Sequence, residues 1–253
     1  MSNDTLPKNK ESIVKNLFKL GAHFGFTRSR RHPSVSPYIY GFKNRTAIVD
    51  LEKSLEALEA AQEFIKKIGS EGKQILFVGN KNEARGIIKK YAEVIDMPYV
   101  NERWVGGTFT NFKQIRSRIE KMKDWREKGK TGGLAVYTKR ERGMIAKEME
   151  KMGRLFTGIE NMEKLPGAIF TIDAKEEAIA IAEAQGMKIP VVALCGTDCD
   201  IRSLAYPIVA NDASRATIEF FTDAMAQAYR EGKTMAQNMA KEKLETAVDK
   251  KED

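Results

Sequence analysis

Residues 102–112, with the sequence ERWVGGTFTNF, combine groups that could bind a phosphate. Arg103 supplies a planar cation and Trp104 a flat ring just before a pair of glycines. Thr108 or Thr110 can cap the helix that is predicted to start there. Free N–H groups at a helix N-terminus, next to an arginine and glycines, suit phosphate binding. The alternative is a sharp turn around a buried tryptophan, and the stretch alone does not decide between the two.

Positive charge is concentrated in two segments of the chain. The protein has 253 residues and a formal net charge of +8 at pH 7. Residues 12–49 contain seven Lys or Arg and no acid, and residues 113–154 contain fourteen Lys or Arg against six Asp or Glu. Charge that is polarised in this way indicates a polyanionic partner, and we favour a nucleic acid over a merely solvated basic surface.

The first basic segment interleaves cations with rings. The cations singled out as nucleic-acid contacts are Arg28, Arg30, Arg31, Lys43 and Arg45, and the rings are Phe24, Phe26, His32, Tyr38 and Tyr40. This mixture suits contacts to phosphates together with stacking on unpaired nucleobases. The alternative is a solvated loop whose aromatic residues belong to the core, which applies above all to the two tyrosines.

The chain offers little for catalysis. No G-x-G-x-x-G loop follows the predicted strand that ends at Gly79, and the sequence contains no P-loop. The only two histidines, His23 and His32, lie in the basic N-terminal segment, with no identifiable nucleophile for a hydrolytic triad. An intact catalytic centre is therefore not expected.

The segment CGTDCD at residues 195–200 follows a predicted strand, at the end where α/β proteins bind ligands. Its C-x-x-x-C spacing is not that of a zinc knuckle. A weak metal site is conceivable if the fold brings a histidine to this segment, and its candidate ligands are His23, Asp198, Cys199 and Asp200. Free structural thiols in a turn are the favoured interpretation, and no cofactor is expected.

Strands and helices are predicted to alternate along most of the chain. Continuous apolar runs predict buried parallel strands, and apolar residues at steps of three and four predict helices. The predicted strands are residues 38–40, 47–49, 75–78, 97–100, 168–172, 190–194 and 206–209, and the predicted helices are residues 12–20, 52–68, 83–95, 175–184 and 212–230. Asp173, at a strand end, is expected to cap a helix. Residues 21–33 are expected to form a loop that lies on a partner.

A helical insertion is predicted to interrupt this domain. Apolar residues recur at helical spacing on both sides of a glycine-rich break at residues 129–133, which predicts an antiparallel hairpin at about residues 111–157. These apolar residues are Phe112, Ile115, Ile119, Met122, Trp125, Tyr137, Ile145, Met149, Met152 and Phe156. The exposed sides of the hairpin carry the second basic segment.

The domain organisation follows from these elements. Residues 1–10 are predicted to be disordered, residues 11–232 to form a single α/β domain, and residues 233–253 to form a charged, flexible tail. We expect no membrane span and no secretory signal, because no apolar run approaches the roughly 20 residues that a bilayer requires. With two cysteines, a cytosolic location is the default expectation.

Short motifs in a single order resemble those of the bacterial-type small-subunit ribosomal protein S2 family, over about residues 11–232. They are GAHFG at 21–25, PYIYGFKN at 37–44, IVDLEK at 48–53, LFVGNK at 76–81, RWVGGTFTNF at 103–112, LPGAIFTID at 165–173, IPVVAL at 189–194 and YPIVAND at 206–212. The chain departs from the family pattern after GAHFG, where Phe26 stands in place of a second histidine, and again at residues 195–201. These departures weaken a metal site carried over from the family.

The resemblance implies a protein that lies between the head and body of the small ribosomal subunit, on its solvent side. It implies binding to small-subunit rRNA, and contacts with other small-subunit proteins that include the large mRNA-binding one. The rRNA contacts that it adds to the first segment are Arg103, Trp104, Thr108, Asn111, Lys113, Arg116, Lys121, Lys123, Lys139, Arg140 and Lys147.

The predicted fold class is α/β, a parallel sheet flanked by helices (flavodoxin-like), with a protruding antiparallel helical hairpin (coiled coil). The predicted function is that of a structural constituent of the cytoplasmic ribosome, without enzyme activity or a small-molecule substrate. One alternative is an enzyme acting on a nucleotide or sugar phosphate, seated at residues 103–108 and 195–200. The other is a free RNA-binding regulator, which would have to bind RNA tightly outside the ribosome.

Overall fold

A computed structural model describes the backbone of residues 10–249 and the side chains of residues 10–238. The strands are β1 (Phe24–Thr27), β2 (Ile39–Lys43), β3 (Thr46–Val49), β4 (Ile75–Val78), β5 (Tyr99–Val100), β6 (Ala168–Ile172), β7 (Val191–Cys195) and β8 (Tyr206–Val209). The helices are α1 (Lys10–Lys19), α2 (Leu51–Ser70), α3 (Asn82–Val94), α4 (Phe112–Lys130), α5 (Lys139–Phe156), α6 (Ala178–Gly186) and α7 (Arg215–Asp249).

Five strands form the central sheet, in the order β5-β4-β6-β7-β8, and every neighbouring pair is parallel. Numbered by their own sequence within the sheet, the strands follow the order 2-1-3-4-5, which is a doubly wound arrangement of the flavodoxin type. Strands β4, β6 and β7 are buried along their whole length, as the continuous apolar runs predicted. The parallel α/β sheet is confirmed.

The two faces of the sheet pack against different helices. On one face, Phe77 of β4 and Phe170 of β6 belong to a core that also contains the buried sides of α1, α2, α3 and α7. On the other face, Leu76 and Ile169 join a core that contains α6 and the buried side of α4. Successive residues of one strand point to opposite faces, so each central strand supplies both cores.

A second, three-stranded antiparallel sheet has the order β1-β3-β2. Asn44 and Arg45 connect β2 to β3 with φ of 48° and 67°, the positive values that a tight type I′ hairpin turn requires. Strand β1 corrects the prediction of a loop at residues 21–33. The partner that orders it is β3, about 20 residues later, so local composition could not indicate the pairing.

Helices α4 and α5 form the insertion between β5 and β6 and contact each other. Ile115, Ile119, Met122 and Trp125 of α4 are buried, as predicted. Tyr137 was predicted on the apolar side, but it is exposed because it lies in the connection between the helices. A capping box between Thr138 and Glu141 starts α5. Coiled-coil packing of the two helices stays a prediction.

Helix α7 is longer than predicted. It runs from Arg215 to Asp249, whereas the sequence predicted a helix ending near residue 230 and a flexible tail from residue 233. At the other end, Lys10 begins α1, although residues 1–10 were predicted to be disordered. The rest of those two predictions concerns residues 1–9 and 250–253, which lie outside the described residues. Within the described part, no helix is long and apolar enough to cross a bilayer.

Candidate nucleic-acid interface

The Trp104 turn, residues 103–111, joins β5 to α4, and a carboxylate from another element occupies it. Glu183 of α6 accepts hydrogen bonds from the backbone N–H groups of Gly107 (2.7 Å), Phe109 (2.9 Å) and Thr110 (3.2 Å). The indole Nε1 of Trp104 donates to the same carboxylate at 3.2 Å. Burial alone would raise the pKa of Glu183, but these hydrogen bonds outweigh it and lower the pKa.

This geometry corrects two of the predicted contacts. Trp104 is only 7% exposed and stacks edge-on against Phe109, while the buried Thr108 donates its hydroxyl to the carbonyl of Val105. The N–H groups that could have bound a phosphate already have an anion, and that anion belongs to the protein. The alternative interpretation, a sharp turn around a buried tryptophan, describes the structure. Arg103 and Asn111 remain exposed at its margins.

Three arginines of the N-terminal segment lie against aromatic rings. The guanidinium carbons of Arg28 and Arg31 are 5.4 and 5.8 Å from the centroid of Phe42, and that of Arg30 is 4.7 Å from the centroid of Phe26. We call these five residues the arginine–aromatic patch. Cation–π contacts at these distances hold the guanidinium groups without neutralising them. Of the predicted rings, Phe26 alone lies under an arginine within the described chain, and Phe42, which was not predicted, positions the other two guanidinium groups.

No acid neutralises this patch. None of its arginines has a carboxylate within ion-pair distance in the part of the chain that the structure describes, and Arg31 has a buried Nε with no hydrogen-bond partner there. Lys43 and Arg45 are also exposed, at the end of the β2–β3 hairpin. Four of the five predicted cations of this segment are thus exposed to an outside anion, and Arg31 is half-buried.

Helix α4 uses part of its positive charge within the protein. Arg116 donates to the carbonyls of Glu160 and Met162, and Lys123 donates to that of Glu160 at 3.4 Å. Lys121 lies 4.3 Å from the ring centroid of Trp125 and 3.9 Å from Glu148. These three predicted contacts are therefore engaged at the root and along the side of the insertion. Lys113 is exposed and has no ion pair among the described residues.

Helix α5 carries the exposed, unpaired charge of the insertion. Arg140, Lys147 and Lys151 follow one another at steps of seven and four residues, so they share one helix face over about 16 Å. We call these three residues the α5 basic stripe. None has an ion pair within the described chain, whereas Arg154, the next basic residue on this face, pairs with Glu150. Lys139, at the start of the helix, is exposed and unpaired as well.

Several cations of the same kind were not predicted from the sequence. They are exposed, have no ion pair among the described residues, and are Arg118, Lys130, Arg142 and Lys151. All four lie in the basic segment that the charge count had selected. A helical-wheel comparison of residues 140, 147 and 151 would have identified Lys151, because the spacing places it on the predicted face.

A second enclosed ionic group lies at the carboxyl ends of the central strands. The Nζ of Lys81 is 3.1 Å from Asp173 and 3.2 Å from Asp212, and all three side chains are largely buried. We call these three residues the carboxyl-edge cluster. Burial raises the pKa of Asp212 to about 7, and the neighbouring Asp173 carboxylate adds to the effect. Asp173 also accepts from the backbone N–H of Lys175 in the turn before α6, but the N-cap of α6 is Glu177, so the predicted helix-capping role of Asp173 is wrong.

Glu177 lies beside this cluster and is almost completely buried. Its carboxyl oxygens accept from the backbone N–H and the side-chain amide of Asn80, at 2.9 and 2.8 Å. Burial nevertheless dominates and raises the pKa of Glu177 to about 7. The cation of the cluster is thus engaged by two carboxylates, while Asn80 Oδ1 at the same edge is buried without a hydrogen-bond partner among the described residues.

The weak metal candidates are not assembled. His23 stacks on Phe18 at 4.1 Å, Lys175 donates to Asp198 at 3.0 Å, and Arg202 binds both oxygens of Asp200. Within the described residues, no group of three or more His, Cys, Asp or Glu side chains could hold a metal ion. Cys195 and Cys199 are buried free thiols. The donors present therefore do not fit the metal site considered from the sequence.

Comparison with known proteins places the whole α/β body in one family. The model of the family "Ribosomal protein S2" matches residues 17–232. The curated "Small ribosomal subunit protein uS2" of Coprothermobacter proteolyticus is 40% identical over 220 residues, which cover 87% of this chain and 82% of that protein. The proteins of the same name from a Nitratiruptor species and from Wolinella succinogenes are 40% and 38% identical, over 88% of this chain and 83% and 82% of their own lengths.

Proposed function

Because the chain belongs to the ribosomal protein S2 family, we propose that it is a structural constituent of the small subunit of the cytoplasmic ribosome, where it binds small-subunit rRNA. The family consists of structural proteins and not of enzymes. Its members act through assembly, so the partners to be explained are rRNA and other ribosomal proteins. Residues 11–232 form the α/β domain, and the insertion at about residues 111–157 reaches out from it.

The observation that carries the rRNA-binding proposal is the unpaired positive charge on one face of α5. Cations within about 5 Å of a carboxylate add little to the attraction of an outside polyanion, because the local charge is already balanced. The α5 basic stripe has no such partner in the described chain. Its three cations are spaced over about 16 Å, which suits a row of phosphates along an RNA backbone.

The N-terminal segment provides the second contact region. The arginine–aromatic patch, together with Lys43 and Arg45, holds five cations on residues that contain no acid between positions 12 and 49. The Trp104 turn is held by Glu183 of α6, and its exposed Arg103 and Asn111 can still reach a nucleic acid. We keep Lys113, Lys139, Arg140 and Lys147 as rRNA contacts and assign Arg116 and Lys123 to the protein side of the interface.

The proposal includes a role in docking the large mRNA-binding protein of the small subunit, which rests on the family relationship. Small subunits that lack the present chain should then also lack the mRNA-binding protein, and adding back the purified chain should restore it. The measurement is the protein content of washed subunits before and after the addition. Retention of the mRNA-binding protein on subunits without this chain would remove this part of the proposal.

The enzyme hypothesis loses its structural support. It placed an anion site at residues 103–108 and 195–200. At the first position Glu183 accepts from the backbone N–H groups, and at the second the carboxylates of Asp198 and Asp200 accept from Lys175 and Arg202. A small phosphate ester would have to displace an internal carboxylate at the first position and would meet two carboxylates at the second.

The test is sedimentation of a charge-reversed protein with small subunits. The triple variant Arg140→Glu, Lys147→Glu and Lys151→Glu should stay at the top of a low-salt sucrose gradient, while the wild-type protein migrates with the subunit. The matched control reverses Lys188, Arg215 and Lys233, which are exposed basic residues of the body. Equal loss in both variants would indicate that only net charge matters and would contradict the proposed interface.

A further inference from the structure

Tyr40 is the most exposed aromatic residue of the described chain, with 82% of its surface accessible. It lies on β2, which is an edge strand of the small antiparallel sheet. Its ring makes no hydrogen bond, ring contact or cation–π contact with another described residue. An aromatic ring in this state neither stabilises the core nor positions a neighbour.

The backbone directs Tyr40 outward. Ile39 pairs with Val49 and Gly41 with Ile48, so β2 advances by two residues where β3 advances by one, and Tyr40 is the extra residue of a β-bulge. Bulges locally bend a strand and re-aim a side chain, and they are frequent where a sheet meets a ligand. The exposure of Tyr40 is therefore built into the pairing of the strands.

The segment that carries this ring is basic and contains no acid between residues 12 and 49. Lys43, three residues further along β2, is exposed and has no ion pair within the described chain. A single nucleotide has the matching pair of groups, a flat base for the ring and a phosphate for a nearby cation.

We propose that Tyr40 is a stacking site for an unpaired nucleobase of small-subunit rRNA, with the exposed Lys43 of the same strand holding a neighbouring phosphate. This inference rests on the proposed rRNA-binding function and specifies the class of RNA: a single-stranded loop, bulge or junction. A base within a duplex cannot reach the ring, because both of its faces are covered by neighbouring bases.

The experiment compares Tyr40→Ala and Tyr40→Phe with wild type on small subunits that lack this protein. Affinity is measured by sedimentation at fixed salt, and 2′-hydroxyl acylation reports which rRNA nucleotides lose mobility. Stacking predicts an affinity loss of about tenfold or more for Tyr40→Ala and less than about twofold for Tyr40→Phe, which keeps the ring. At least one unpaired nucleotide should be protected by wild type and by Tyr40→Phe, and become reactive with Tyr40→Ala.

The control variant is Val94→Ala, which shortens an exposed apolar side chain on α3, a helix of the α/β body. It should leave both the affinity and the acylation pattern unchanged. Thermal unfolding should be the same for all variants, because Tyr40 makes no contact that folding depends on.

Three results would overturn the inference: unchanged affinity of Tyr40→Ala, an equal loss in Val94→Ala, or a changed nucleotide that lies within a duplex. A loss of affinity without any change in rRNA reactivity would assign Tyr40 to a protein contact and would also overturn it. These failures differ from failure of the proposed function, in which wild type itself would not sediment with the subunit.

Discussion

The carboxyl-edge cluster and the α5 basic stripe both contain basic residues, but these are paired with carboxylates in the cluster and unpaired on the stripe. In the cluster, one lysine lies between two carboxylates in a largely buried site. On the stripe, three cations share an exposed face and have no acid partner in the described chain. The comparison shows that basic residues indicate a polyanion partner only where the fold leaves them unpaired.

The Trp104 turn resembles the carboxyl-edge cluster, because its polar groups are paired within the protein, although its sequence suggested a site open to an outside anion. Its glycines, arginine and helix start all suit an anion, and an anion is indeed bound there. That anion is the side chain of Glu183, so the turn is an internal joint of the protein. Experiments can separate the two kinds of region, since enclosed charge should govern stability and open charge should govern binding to RNA.

The largest effect on stability is expected from Lys81→Met. The substitution leaves Asp173 and Asp212 buried without their cation, which should lower the free energy of unfolding by about 3–5 kcal/mol. Urea unfolding followed by circular dichroism measures it. The control Lys89→Met removes an exposed lysine of α3 and should change little. A loss below about 1 kcal/mol for Lys81→Met would show that the cluster is not enclosed as described.

Glu183→Ala should have the next largest effect. It removes the acceptor of three backbone N–H groups and of the Trp104 indole, and we expect a loss of about 3 kcal/mol. Tryptophan fluorescence during urea unfolding provides the measurement, because the indole lies at the affected site. Glu176→Ala, which removes an exposed carboxylate next to α6, serves as control. Equal effects of the two substitutions would contradict an internal joint.

Glu177→Gln should change the pH dependence of stability. The folded-state pKa of Glu177 is about 7 and the ordinary value is 4.5, so the folded protein keeps a proton that the unfolded chain releases in this window. The wild-type contribution to stability therefore falls as pH rises from about 4.5 to 7. The free energy of unfolding of the glutamine variant, relative to that of wild type, should therefore increase by about 2–3 kcal/mol between pH 4.5 and pH 8.

Urea unfolding of both proteins at pH 4.5 and at pH 8 measures this difference. The same pair of experiments on Glu176→Gln provides the reference, because Glu176 is the exposed neighbour of Glu177. A stability difference between Glu177→Gln and wild type that stays constant with pH would show that the carboxyl group does not titrate as described.

The smallest effect on stability, and the largest on RNA binding, is expected for neutralisation of the α5 basic stripe. The variant with Arg140→Gln, Lys147→Gln and Lys151→Gln should unfold within about 0.5 kcal/mol of wild type. Its affinity for small subunits should depend less on salt, with the logarithmic slope reduced by about 2–3 if each cation meets a phosphate.

Arg116→Gln is the contrasting variant, because the guanidinium group of Arg116 donates hydrogen bonds to carbonyl oxygens within the protein. It should lower stability and leave the salt slope unchanged. If Arg116→Gln reduced the slope as much as the stripe variant does, the division into enclosed and open charge would be wrong.

Much of the central sheet could be predicted from the sequence. Strands β4, β6 and β8 occupy the predicted residues, because a buried parallel strand is apolar throughout and is bounded by polar or glycine residues. The helices of the insertion were also predicted, since their apolar residues recur at helical spacing. In both cases the signal lies within one element.

The features that were missed depend on residues far apart in the chain. Strand β1 is ordered by pairing with β3, and Glu183 reaches a turn that lies 76 residues before it. Neither the pairing of β1 with β3 nor the contact of Glu183 with the turn can be identified from the local composition. Helix α7 was cut short for a different reason: its last part is densely charged, which suggested a tail, although alternating charges are compatible with a helix.

The contacts of Glu183 have a mechanical consequence for the insertion. They fix the turn from which α4 begins. Because α4 is about 28 Å long, a small change of angle at this turn moves the far end of the helix by a much larger distance. A rotation of about 5° at this turn would displace the far end by about 2.5 Å, close to the length of a hydrogen bond. One half-buried carboxylate therefore sets the direction of cations that lie many residues away from it.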